Sequence, residues 1–348
     1  MSAAVVWNVP SRSGFEGMRV GVVGVGRMGV VHARTLAEHP EVSSVIVQDV
    51  DGARAREVAA DLGVDVAEDV ESVFAGVDGL VIAAASSTHA DLIHAAADRG
   101  VATFCEKPVS LDLSSSEQVV AHVRETGIEV QMGFQRRFDA GYVAAHDLVE
   151  TGGLGTVYVV RMAGHDPRPP HEEYIPVSGG IFRDFGIHDF DALRFVTGQE
   201  VVEVFAEGSV LGFPVFATYD DVDTAVAVLR LSSGALALLS TTRHDPLGYD
   251  IRMEILGSGD SVVVGWDDRL PLRSIEPGGP RAPADPYPDF QRRFPAAYTA
   301  EIHAFVEVVG GARSSPCTVQ DAHEALRVAE ACDRSRRQHR PIALEDVA

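Results

Sequence analysis

The chain has 348 residues, with 29 basic against 51 acidic side chains and a formal charge of −22. Apolar residues make up 46 % and charged residues 23 %, which is ordinary globular usage and excludes a disordered chain. The length predicts two domains. So acidic a surface repels phosphate backbones, and apolar runs such as residues 80–85 fall far short of the roughly 18 needed to cross a bilayer. Neither nucleic acid nor a membrane is therefore expected as a partner.

Residues 1–17 lack a cationic start followed by an apolar run, so they are no secretory signal and read as a flexible extension. Cys105, Cys317 and Cys332 form no C-x-x-C pair. They read as buried free thiols in a reducing cytosol, not as a disulfide framework or a zinc site, so a cytoplasmic protein is expected.

Residues 18–23 (MRVGVV) read as a strand buried on both faces. Gly24-Val25-Gly26-Arg27-Met28-Gly29 follows, then a helical stretch with His32, Leu36 and Ala37. Strands are expected at 45–49, 79–85 and 101–105, and helices at 53–62, 89–99 and 114–126. This alternation means βαβ units and a doubly wound parallel sheet. After about Gly133 the pattern changes. Longer strands are expected at 156–163, 201–210, 222–231, 234–242, 250–256 and 261–265, several of them separated by turns such as Ser232-Ser233-Gly234. Helices are expected at 139–150, 187–196, 298–309 and 319–338, and a proline-rich loop at 277–288. The expected fold is α/β: an N-terminal Rossmann domain over 18–133, then an α/β domain over 134–348 built on a large, mostly antiparallel open sheet.

G-x-G-x-x-G alone is weak evidence, but here it follows a strand and opens a helix, as a dinucleotide site requires. Gly24 permits the tight turn, Gly26 lets the backbone approach a pyrophosphate, and Gly29 lets the helix pack on the sheet. The helix N-terminus offers N–H groups and a positive dipole end to phosphates. Asp49 ends the second strand, where an acidic residue binds the ribose hydroxyls of NAD and repels a 2′-phosphate. No arginine follows at once, so NAD is expected in preference to NADP. The alternative is that Asp49 merely opens an Asp-Val-Asp-Gly turn.

Glu106-Lys107-Pro108 lies at the carboxyl end of a parallel strand, where open α/β sheets bind ligands. A lysine there can stabilise a developing alkoxide. A second signal is the run Gly179-Gly180-Ile181-Phe182-Arg183-Asp184-Phe185-Gly186-Ile187-His188-Asp189-Phe190-Asp191. If the helix includes Asp184, the carboxylate and His188 share a face and can hydrogen-bond, leaving the other ring nitrogen free as a base. Otherwise Asp184 caps the helix and His188 is a satisfied core histidine. The same spacing offers two metal ligands, but no third ligand cluster accompanies them, and no metal is expected.

These marks together resemble the glucose–fructose oxidoreductase / inositol dehydrogenase family (Gfo/Idh/MocA), and within it the myo-inositol 2-dehydrogenases. The supporting stretches are EKPVSLD at 106–112, GFQRRFD at 133–139, DPRPP at 166–170, 178–195 and GYDIRMEILG at 248–257, and the likeness runs over roughly 18–335. The resemblance implies Lys107, Asp184 and His188 as the catalytic set. It implies Arg136, Asp166, Asp191 and Tyr249 as substrate contacts, with Tyr298 a weaker candidate. Arg27, Met28, Ser86, His89 and Glu106 would join Gly24, Gly26, Asp49 and Lys107 around NAD. It implies a cyclic polyol substrate, oxidised at one hydroxyl to a ketone, and a homotetramer. Another sugar or deoxy-sugar substrate, or a non-catalytic NAD-binding sensor, are the rival readings. Two departures stand out: Ala84-Ala85 replaces the family's frequent Thr-Pro, and Gly164-His165 stands where related sequences often carry an arginine.

Overall fold

Six parallel strands grow directly out of the alternating first third of the chain. They are β1 Met18–Val23, β2 Val42–Gln48, β3 Asp65–Val66, β4 Gly79–Ile82, β5 Ala102–Glu106 and β6 Val130–Gly133, in the order β3-β2-β1-β4-β5-β6. All neighbouring pairs are parallel. Strand order reverses between β1 and β4, the switch point at which such sheets take ligands. The computed structural model describes residues 17–347, so the extension expected over 1–17 lies outside them apart from Gly17.

The helix Arg27–Ala37 buries Gly29, His32, Ala33 and Leu36, the three-and-four spacing of one apolar face. Asp51 caps the next helix, Gly52–Leu62, by accepting from the Ala53 and Arg54 N–H groups. The core of this unit joins Val20, Val22, Leu36, Val47, Val81 and Phe104 to Ile302, Phe305 and Val306 of the helix Pro295–Val309.

The domain division therefore differs from the contiguous one expected. Among the described residues the first unit takes 17–106, 119–133 and 299–318; the second takes 107–118, 134–298 and 319–347. Chain order alone puts the late helix in the second domain, but its apolar face completes the first core.

The second unit carries seven strands: β7 Val157–His165, β8 Val201–Ser209, β9 Thr224–Leu231, β10 Leu236–Thr242, β11 Asp250–Gly257, β12 Ser261–Val264 and β13 Ile342–Ala343. Their order is β12-β11-β7-β10-β9-β8-β13, antiparallel except for β7 beside β10. β9 alternates buried and exposed residues strictly, as a half-buried strand should. The helices Ile187–Thr197 and Val319–Gln338 belong to this unit, the latter burying Leu326, Val328, Ala329 and Cys332. The short strands β3, β6 and β13 were not foreseen. Two residues carry no periodicity, and β6 is buried throughout with a glutamine in it.

Candidate active site

In the first unit, Gly24 has φ +88°, a conformation that favours glycine, and a Cβ there would strike the Ala84 backbone. At Gly29 a Cβ would strike the Gly24 carbonyl. At Gly26 it would meet nothing within 4 Å, and no side chain caps the helix that starts at Arg27. The turn is thus closed on the protein side and open on the other, which fits a pyrophosphate lying over it.

Asp49 is fixed from two sides. Its Oδ2 accepts from the Val25 N–H at 2.9 Å and its Oδ1 from the Asp51 N–H at 2.9 Å. Arg54, half exposed, brings NH1 to 3.6 Å of the same carboxylate. Asp49 thus organises the Asp-Val-Asp-Gly turn and stands beside the glycine loop. Ser86 opens a short 3-10 turn, Ser86–Thr88, and Arg27 is exposed with Met28 beside it. His89 is buried with Nε2 3.1 Å from the Ala84 carbonyl oxygen, so it shapes the loop that the Ala84-Ala85 departure had left open.

Glu106 is held by His32, whose buried ring brings Nε2 to 2.7 Å of Oε1. Glu301 completes this group, with the ligand atoms of all three within 4.8 Å of one another. It is wholly buried, and neither of its carboxyl oxygens has a hydrogen-bond partner among the described residues. Burial, and then the Glu106 charge, push its carboxyl well above the ordinary range.

The second unit gathers a different set. Lys107 donates from Nζ to the Asp184 main-chain oxygen at 2.7 Å and lies 3.3 Å from its Oδ1. The Tyr174 hydroxyl donates to Oδ1 at 2.9 Å, and Arg243 NH1 to Oδ2 at 2.9 Å. Burial alone would raise the Asp184 carboxyl, but Lys107 and Arg243, with the Tyr174 hydroxyl, outweigh it and hold the group well below the usual carboxylate range. His188 goes the other way. Burial, then the charges of Lys107 and Arg136, keep its imidazole well below the ordinary histidine value against the opposing field of Asp184. Its Nδ1 is buried without a hydrogen-bond partner among the described residues, and Phe134 meets the ring edge-on at 5.8 Å.

The Asp184–His188 hydrogen bond expected from their spacing is absent among the described residues. Residues Phe182–Gly186 are π-helical, and both carboxylate oxygens are taken by other donors. Nor does Asp184 cap a helix. The two groups share a charge field, not a bond.

Two expected substrate contacts are buried and hold ion pairs, and two Arg136 donors, Nε and NH2, are left without a hydrogen-bond partner among the described residues. Arg136 is 1 % exposed, with NH1 2.5 Å from Asp189 Oδ1. Asp191 is 0 % exposed and paired with Arg137 through contacts of 2.7–3.1 Å. Both are interior ion pairs, which burial makes costly to break. Asp166 keeps 23 % of its side chain open, 3.6 Å from Arg243. Burial pushes its carboxyl up to about 6, with Arg243 opposing. Tyr249 is buried, as is Tyr298, whose ring meets Phe290 edge-on. His165, where relatives often carry arginine, bonds Ser240 at 3.0 Å and lies 3.7 Å from Asp250. Arg243 and Tyr174 were missed altogether.

A family model described as an oxidoreductase family with an NAD-binding Rossmann fold matches residues 18–134. A GFO/IDH/MocA C-terminal domain model matches 142–263. The chain belongs to the Gfo/Idh/MocA oxidoreductase family. Among its relatives in that family, the myo-inositol 2-dehydrogenase of Thermotoga maritima is 35 % identical over 95 % of this chain and 99 % of its own. A myo-inositol dehydrogenase from Corynebacterium glutamicum superposes with a TM-score of 0.86 at 32 % identity, covering 94 % of this chain and 99 % of its own. A scyllo-inositol dehydrogenase from Lactobacillus casei with bound NAD(H) and scyllo-inositol gives 0.86 at 26 % identity, covering 95 % and 100 %.

Proposed function

We propose that this family member is an inositol 2-dehydrogenase, oxidising a ring hydroxyl of a cyclic polyol to a ketone with NAD. The observation that carries the reading is the second unit's cluster: a neutral imidazole, an ammonium and a fixed carboxylate within one charge field. The inositol dehydrogenases among its relatives support the substrate class.

His188 is the base. It is uncharged at neutral pH, so it can take the hydroxyl proton as the carbon gives up hydride. The bound nicotinamide supplies the hydride acceptor. Asp184, an anion throughout, offsets part of the charge that His188 gains. An ammonium has three donors, and two of those on Lys107 face Asp184. The third is left for the reacting oxygen, whose developing charge it stabilises. Asp166 is the carboxyl with the most open side chain among the expected substrate contacts, and it suits a ring hydroxyl. Arg136 is fixed by Asp189 and adds to the field at His188, and its Nε and NH2, without partners among the described residues, suit a ring hydroxyl.

Asp49 supports NAD over NADP, by at least about tenfold, or roughly 1.4 kcal/mol. Arg54 beside it sets a limit on that preference, since a guanidinium offsets the repulsion of a 2′-phosphate. Three buried free thiols fit a reducing cytoplasm. The exposed sheet face carries Tyr158, Val226, Val228, Leu236 and Leu238, an apolar surface that supports a homotetramer. The deciding experiment is NADH formation from myo-, scyllo- and chiro-inositol and from glucose, each with NAD and with NADP. No NADH from any of them would overturn the reading, and equal use of both cofactors would overturn the preference.

A further inference from the structure

Arg243 follows the last residue of β10 and is 2 % exposed. Its main-chain N–H donates to the Asp223 carbonyl at 2.7 Å, so the backbone is pinned at the strand end. Its guanidinium is used sparingly. NH1 serves Asp184 at 2.9 Å and approaches Asp166 at 3.6 Å, while Nε and NH2 are buried with no hydrogen-bond partner among the described residues. For a purely structural arginine this is a poor arrangement, because burying a guanidinium is repaid only when its donors are satisfied. What repays it is charge: the carboxylates of Asp184, Asp166 and Asp221 surround it.

We propose that Arg243 is a positioning residue of this site, fixing the Asp184 carboxylate through Oδ2 while Lys107 and Tyr174 meet Oδ1, and tying Asp184 and Asp166 into one network. The inference rests on the reading that this cluster oxidises the polyol. The Asp184 carboxylate has few ways to turn when each oxygen has its own donor. Lys107 can then keep its Nζ on the Asp184 main-chain oxygen and still offer a donor outward. The groups that set the charge here are Lys107, Arg243, Tyr174, His188 and Asp166 around Asp184, and Asp184, Asp166 and Asp221 around Arg243. Removing the guanidinium leaves burial less opposed at both Asp184 and Asp166. Their carboxyls then hold protons to higher pH, and activity on the acid side is lost earlier.

The test uses the full-length protein with Arg243→Gln and Arg243→Lys. Steady-state oxidation is followed from pH 5 to 9, with NADH affinity by fluorescence and Tm alongside. In Arg243→Gln we expect kcat to fall at least about thirtyfold and the acid limb to move up by about one pH unit, with NADH affinity within about twofold. Arg243→Lys keeps a cation without the fork, so it should keep the parental acid limb and lose kcat by about three- to tenfold. A folded Arg243→Gln with the parental acid limb overturns the proposal, and so does Arg243→Lys with parental kcat, which settles the matter if the glutamine variant fails to fold. A second readout needs no substrate. In protein with ¹³C-labelled aspartate carboxyls, the resonance lost in Asp184→Asn should stay ionised far into acid in the parent and titrate at higher pH without Arg243. An unmoved titration overturns the inference even if no polyol is oxidised; a parent that makes no NADH overturns only the reading beneath it.

Discussion

Consecutive residues, Glu106 and Lys107, enter two buried charge clusters of opposite character. Glu106 joins His32 and Glu301 in the first unit, where the imidazole serves Glu106 and Glu301 has no hydrogen-bond partner among the described residues. Lys107 joins Asp184 and Arg243 in the second, where one carboxylate answers two cations. Burial pushes the carboxyl up in both places. In one nothing opposes it and the acid keeps its proton. In the other the cations win and the acid is an anion far into acid pH. Burial thus does not decide whether an interior carboxyl is charged; the supply of positive neighbours does. A neutral acid suits a structural joint, and a locked anion suits a site where a histidine must briefly become positive.

The largest expected effect probes the charged cluster at its base. His188→Ala should lower kcat by about a thousandfold, within the range for loss of a general base, with NADH binding within about threefold. Normal turnover would make His188 a core residue and end the comparison. Next is the cation. Lys107→Met keeps most of the bulk and should cost at least about a hundredfold in kcat, the size of a lost electrostatic stabiliser. Parental kcat in that variant would reduce the Lys107–Asp184 contact to a structural one.

The smallest effect sharpens the other side. Glu301 has its carboxyl raised, so its contribution to stability is fully present below the ordinary value of 4.5 and is lost as pH rises toward the folded value. Asp184 has the opposite sign: its contribution is present above the ordinary carboxylate value of 3.8 and disappears as pH falls. Glu301→Gln fixes the neutral form. Relative to the parent, its Tm should be higher at pH 8 than at pH 5. A Tm difference that is the same at both pH values would mean that the folded-state Glu301 carboxyl is not raised above its ordinary value.

The parts legible in the sequence were those whose chemistry is local. The glycine turn, Asp49 at a strand end and Lys107 after β5 each need only their neighbours to be read. Asp184 and His188 were legible as a pair, but the bond between them was not, because the π-helical turn and three distant donors decide where the carboxylate points. Arg243 lies in an ordinary strand-end sequence, and nothing local marks it. Resemblance alone suggests Arg136 and Asp191 as substrate contacts, and it says nothing of the ion pairs they make. A faint signal points to those pairs: GFQRRFD and HDFD each repeat a charge at close spacing, as two interior ion pairs between the same elements require.

The helix that brings Ile302, Phe305 and Val306 to the first core also carries Glu301. On the ribosome, everything else in that unit apart from its last stretch is made by residue 133. About 170 more residues must then be synthesised before this helix emerges, roughly 10–30 s at ordinary elongation rates. Through that interval the six-stranded sheet waits with one wall missing, Phe104 and Val81 uncovered and the Glu106–His32 pair without its third member. The nucleotide-binding unit is therefore begun before the second unit and finished only after most of it, and a nascent chain of this protein has long-lived sticky surface for chaperones to hold.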